Sequence, residues 1–205
     1  MINFLRLSLL FARNVVNCVN SPYVTFRKLT EEKTGVKQTG FIFFFVVAYF
    51  IFVSWIRVPF RNPYLLTMQF NKLLLGWIVG FWGIIILLYF LGKLVSSRGT
   101  FRSVFILWTW SLLPTLTWFF LTSFLFIIFP PPRTLSIWGK IYSLVFISFS
   151  LSLLFWKLIL YYLTLRFAFR IDLQKITIVT FVVIPYIVMY SVVMYSLGIF
   201  RIPFI

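Results

Sequence analysis

The sequence predicts an all-α polytopic membrane protein, a bundle of five transmembrane helices with an N-terminal interfacial helix. Three observations carry this. Charge-free apolar cores run over 38–56, 73–92, 103–132, 141–156 and 176–200, and a bilayer core asks for roughly 20 mostly apolar residues per helix. The chain is 62% apolar with a mean hydropathy of +1.04, whereas soluble domains are only about half apolar. The cations lie almost entirely between the apolar runs, as in the loops of membrane proteins. In hydrocarbon every backbone polar group must bond within its own segment, so such runs are helices.

Residues 1–20 are expected to form the amphipathic helix. Phe4, Leu7, Phe11, Val15 and Val19 recur at helical spacing between Arg6, Arg13 and polar residues. Arg13 interrupts the apolar patch and no small-x-small site follows, so the segment reads as retained rather than as a signal peptide. Residues 21–205 then read as one five-helix domain, with spans at about 40–56, 73–92, 103–129, 137–160 and 176–200.

The polar stretch 20–39 opens with Ser21-Pro22, a helix start with proline at the first helical position. Lys, Glu and Gly35 then read as a head-group loop. Helix 1 ends at an interface marked by Trp55 and Arg57, and Pro59 and Pro63 place a loop over 57–72. Helix 2 carries Gly76 and Gly80, a spacing that lets two helix backbones approach closely. Packing within the bundle and self-association between two copies are the two uses of such a face. Helix 3 contains Pro114, expected to kink it with Ser111 near the freed carbonyl, and Pro130-Pro131-Pro132 stop it. Helix 4 contains Lys157, which is expected to snorkel towards the interface near Arg166. Asp172 is expected to pair with Arg166, Arg170 or Lys175, and helix 5 holds a second kink at Pro185.

Nineteen Lys and Arg stand against three acids, Glu31, Glu32 and Asp172, a formal net charge of +16. In a soluble protein this would point to nucleic acid; between membrane spans it points to anionic lipid head groups, and nucleic acid is not expected as a partner. The N-terminal segment, the 2–3 loop and the 4–5 loop hold twelve cations, against six on the other side. The richer side is expected to be cytoplasmic, with the C-terminus outside.

No histidine is present, and Cys18 is the sole cysteine, expected to be a small buried side chain. A Cys/His metal site and an internal disulfide are therefore ruled out, and no cofactor is expected. No carboxylate lies in a span, so acid–base catalysis lacks its usual groups. A Ser–Lys pair, one of Ser148, Ser150 or Ser152 with Lys157, is the one nucleophilic arrangement left open. Ion-coupled transport normally shows intramembrane carboxylates or histidines, which are missing, although Pro-broken helices 3 and 5 keep a transporter subunit or small-solute channel as the alternative.

Three patterns together resemble the Yip1-domain family of five-span membrane proteins. They are Ser21-Pro22-Tyr23 running into Thr25-Phe26-Arg27; Gly99-Thr100-Phe101-Arg102 followed by Trp108-Thr109-Trp110-Ser111-Leu112-Leu113-Pro114; and Ile137-Trp138 opening helix 4. The long polar N-terminal region and acidic-Leu-Tyr-Gly-Pro signature of the eukaryotic branch are not found, so its link to Rab-type GTPases and vesicle traffic is not carried over. The resemblance is to prokaryotic members and implies a non-catalytic scaffold or organiser in a plasma membrane. Arg27, Lys28, Arg98 and Arg102 are expected to face one side and bind anionic lipid or a membrane or soluble partner protein. Gly76, Gly80, Gly99, Pro114 and Pro185 are expected to serve helix packing and kinks.

Overall fold

A computed structural model describes residues 2–32, 34–57, 62–95, 99–128 and 137–200, apart from the side chains at 2, 3, 57 and 138. Among the described residues it is all-helical: α1 Ile2–Asn20, α2 Pro22–Glu31, α3 Gly35–Arg57, α4 Pro63–Val95, α5 Phe101–Trp110, α6 Leu113–Ile128, α7 Ile137–Phe169 and α8 Leu173–Ser196. Five stretches are long and apolar enough to cross a membrane: Gly35–Ile56, Pro63–Val95, Phe101–Ile128, Gly139–Phe169 and Leu173–Ser196. The protein is therefore a multi-pass membrane protein of five apolar spans.

Several helices start earlier than their apolar cores. α3 begins at Gly35 rather than Gly40, so the expected head-group loop is short and Gln38 and Thr39 are buried in a first helical turn. α4 begins at Pro63, inside the expected 57–72 loop. Asn62 Oδ1 accepts the Leu65 N–H at 3.3 Å, and Pro63 occupies the first position, where a missing N–H costs nothing. At about 1.5 Å per residue α4 and α7, 33 residues each, reach about 50 Å, longer than a bilayer core of about 30 Å.

The expected kink at Pro114 is a complete break. α5 stops at Trp110 and α6 starts at Leu113. The Leu112 N–H turns back to the Thr109 carbonyl at 3.1 Å, and Ser111 Oγ donates to the Trp108 carbonyl at 2.8 Å. Pro185 lies inside an unbroken α8 with its side chain exposed. α8 ends four residues before the expected Phe200, because Gly198 takes φ +66° and the Ile199 N–H reaches the Met194 carbonyl at 3.0 Å. This left-handed cap suits glycine and folds Phe200 back onto the bundle, its ring 6.1 Å from that of Phe50.

α4 and α8 meet where glycine removes the side chain. A Cβ at Gly80 would collide with the Tyr190 ring, and one at Gly83 with the Tyr186 hydroxyl. The room at Gly80 admits Tyr190, whose hydroxyl donates to the Gly76 carbonyl at 3.0 Å, while Met194, Ile199 and Phe200 lie where a Cβ at Gly76 would be. The Phe169 ring, fully buried, fills the space over both Gly92 and Gly99. α1 docks on α3 and α5 through Phe11, whose ring lies 5.1 Å from Phe41 and 5.5 Å from Trp110. Its buried stripe is Phe11, Asn14 and Cys18, with Val15 packed beside them; of the expected apolar stripe Phe11 is buried, Leu7 and Val15 are half-buried, and Phe4 and Val19 are exposed. The side chain that decides this is polar, since Asn14 finds Gln38 across the interface.

Candidate functional site

The N-termini of α3, α5 and α8 and the C-termini of α4 and α7 meet at one end of the bundle, with α2 across them. Gly35 lies against Ile106 and the Leu29 carbonyl, and Tyr23 of α2 packs edge-on to Phe167 of α7 at 4.9 Å. α2 buries Thr25, Phe26 and Leu29; the helical period therefore turns Arg27 and Lys28 outwards.

Glu32 organises this end. Its carboxylate lies 3.6 Å from Lys28 Nζ and accepts Gln38 Nε2 at 3.3 Å and the Thr34 hydroxyl at 3.4 Å. Asn14 Nδ2 donates to Gln38 Oε1 at 2.8 Å, tying α1 into the same chain of bonds. Arg102 Nη2 donates to the Glu32 backbone carbonyl at 3.5 Å, and Arg27 pairs with Glu31 at 3.8 Å. Thus Arg27, Lys28 and Arg102 stand together at one end; Arg98 lies outside the described residues. The two i,i+4 pairs are exposed or half-exposed, so each contributes at most about 0.5 kcal/mol. They orient charge more than they hold the fold. Around them, Lys93 lies over the Tyr89 ring at 5.1 Å, Arg166 donates to the Tyr162 hydroxyl and Lys175 donates to the Val95 carbonyl at 3.4 Å. Among the described residues Asp172 makes no close ion pair with these cations, although its charge acts on Arg166 through space; it occupies the N-cap position of α8, where a negative charge faces the helix's positive end.

A second polar feature lies deep in the apolar region. Lys157 does not snorkel. Its ammonium turns inwards to the α5–α6 break, donating to the Ser111 carbonyl at 3.0 Å and lying 3.4 Å from Ser111 Oγ. It also stands 4.9 Å from the centre of the Trp108 ring, a cation–π contact that strengthens out of water. The break leaves the Ser111 carbonyl without a helical amide, and the lysine takes that place. Of the serines considered with Lys157, Ser152 bonds the Ser148 carbonyl at 2.9 Å and Ser150 accepts the Trp118 indole N–H at 2.9 Å. Ser111 itself is fully buried and already donates to Trp108, so the pair presents no accessible nucleophile.

The sequence marks Glu32 only as one of three acids and gives Gln38 and Asn14 no role, because polar residues ahead of a first span read simply as solvated. The one available signal was the i,i+4 spacing of Lys28 and Glu32. Pro114 is buried and Pro185 exposed, so the two prolines do not frame a common site.

Comparison with curated proteins and with solved structures gives no match. The Yip1 domain family model matches residues 17–195. That range begins just before Ser21-Pro22, which opens α2, includes the Gly99–Arg102 turn that opens α5 on its Thr100 cap, and ends in the last turn of α8. The match covers most of the chain and agrees with its five apolar spans: this chain belongs to the Yip1-domain family.

Proposed function

We propose that the protein is a non-catalytic membrane scaffold or organiser that binds an acidic partner protein or anionic lipid through its basic end. The observation that carries this reading is the grouping of Arg27, Lys28 and Arg102 on a framework centred on Glu32, with Arg98 two residues before the α5 cap in the sequence. Positive charge next to membrane spans attracts anionic lipid at about 1 kcal/mol per residue. We assign this end to the cytoplasm, with α8 ending outside, on the excess of cations there. A prokaryotic plasma membrane fits the family branch that the sequence resembles.

Two arrangements favour a scaffold over a transport subunit. The prolines expected to frame a solute path point to different environments, one buried and one outward. The lysine within the spans is engaged by a helix break rather than by a water-filled route.

Photo-crosslinking in native membranes, with probes at Arg27 and Arg102, tests the reading. Reproducible capture of one acidic soluble protein, or of anionic lipid, is the expected result. Capture of a transport ATPase or permease subunit would replace the scaffold by the transport reading.

A further inference from the structure

At the end of the bundle opposite the basic cluster, α3, α6 and the cap of α8 line a half-open cavity of about 640 Å³. This lies within the range of about 300–1,000 Å³ usual for small-ligand sites. Trp118, Phe119 and Phe200 form much of its wall, and Tyr49, Thr122 and Ser123 bring hydroxyls to it. Among the described residues that line it none carries a charge.

The polar groups are fixed in place. The Tyr49 hydroxyl and Ser123 Oγ are 3.3 Å apart, joining α3 to α6. Thr122 donates to the Trp118 carbonyl at 2.7 Å, and the Trp118 indole N–H is held by Ser150 at 2.9 Å. The Gly198 cap closes one side by folding Phe200 over α3. A hydroxyl pair can both donate and accept, so it suits an alcohol or ester. The described lining residues, aromatic or apolar with a few hydroxyls, offer no charged partner to a phosphate or carboxylate, whose charge would be desolvated against them.

We propose that this cavity binds an uncharged membrane amphiphile, a glycerol-ester lipid, with its hydroxyl or ester at the Tyr49–Ser123 pair and its chain along the aromatic wall. The site is separate from the basic end and does not depend on the scaffold reading.

The test uses the full chain reconstituted in vesicles of zwitterionic lipid. One sample contains a diazirine-bearing monoacylglycerol and another a diazirine-bearing phosphatidylglycerol; adducts are mapped by mass spectrometry. The expected result is labelling by the monoacylglycerol concentrated on 49–56, 118–126 and 195–200, and lost on adding excess unlabelled monoacylglycerol. Ser123→Phe, which fills the cavity, should reduce that labelling to the level of the outward α7 residues Leu144, Val145, Ile147, Leu151, Leu154 and Phe155. Tyr49→Phe, which removes one hydrogen bond but keeps the ring, should reduce it by roughly three- to tenfold. Labelling equal to that of α7 and insensitive to competitor would overturn the proposal. So would preferential labelling by phosphatidylglycerol, crosslinks from these segments to a second copy, or an unchanged Tyr49→Phe protein.

Discussion

Lys157 shows how a single side chain in a membrane can be fixed by something distant in sequence. Its place on an apolar helix was plain, but its direction was not, because the carbonyl that captures it lies 46 residues away at Ser111. Removing the lysine has two opposing effects: it relieves desolvation of a charge and leaves a carbonyl unbonded, at about 1–3 kcal/mol. A double-mutant cycle separates them. Pro114→Ala lets the helix continue, which brings the Thr115 N–H to the Ser111 carbonyl, so Lys157→Met should cost about 1–2 kcal/mol less in that background than in the native one. Additive effects on unfolding in detergent would contradict the clamp. Cys18 gives a second test at this scale. It is fully buried, and burial pushes its thiol from 9.0 up to about 12. The folded state thus holds a proton that the unfolded state releases, and stability should fall as pH rises from about 9 towards 12. Cys18→Ala should flatten that fall, and the native thiol should resist maleimide near neutral pH until the protein is unfolded. Ready labelling of the folded protein would show that the thiol is not enclosed.

Among the elements, the spans were legible because twenty apolar residues without charge admit one reading in a bilayer. Their ends were less so. Pro63 reads as a breaker, yet with Asn62 before it the same residue starts α4. The Gly76–Gly80 spacing indicates close packing but not with what; the answer is Tyr190 over Gly80 and Met194, Ile199 and Phe200 over Gly76, residues no spacing rule connects to them. That face is occupied within the chain, so self-association through it would require displacing α8. In a bilayer, apolar contact with lipid is no worse than with another helix, and the fit of side chains decides packing. Gly80→Val should therefore destabilise the α4–α8 pair by about 1–3 kcal/mol through overpacking. Gly40→Ala, where a Cβ meets nothing within 4 Å, should be neutral or slightly stabilising on helix propensity. Equal effects of the two in thermal unfolding would refute the packing account.

For the whole molecule, the large outward apolar surface of α7 and α8 needs no explanation beyond lipid, and the asymmetry of charge is what remains to be used. The sequence showed that the cations gather on one side of the spans. Beyond the i,i+4 spacing of Lys28 and Glu32, it did not show that Arg102 would join Glu32, because that contact depends on α2 folding back against α5. The account makes this end an electropositive platform, and the most direct measurement is lipid retention by native mass spectrometry. The purified chain and its Arg98→Glu/Arg102→Glu variant would be compared in phosphatidylglycerol and in phosphatidylcholine. The account predicts that the variant retains at least roughly thirtyfold less phosphatidylglycerol, at about 1 kcal/mol for each of the two cations lost, with phosphatidylcholine retention and thermal unfolding little changed. Undiminished phosphatidylglycerol retention by the folded variant would contradict the assignment of this end as the anionic-surface site.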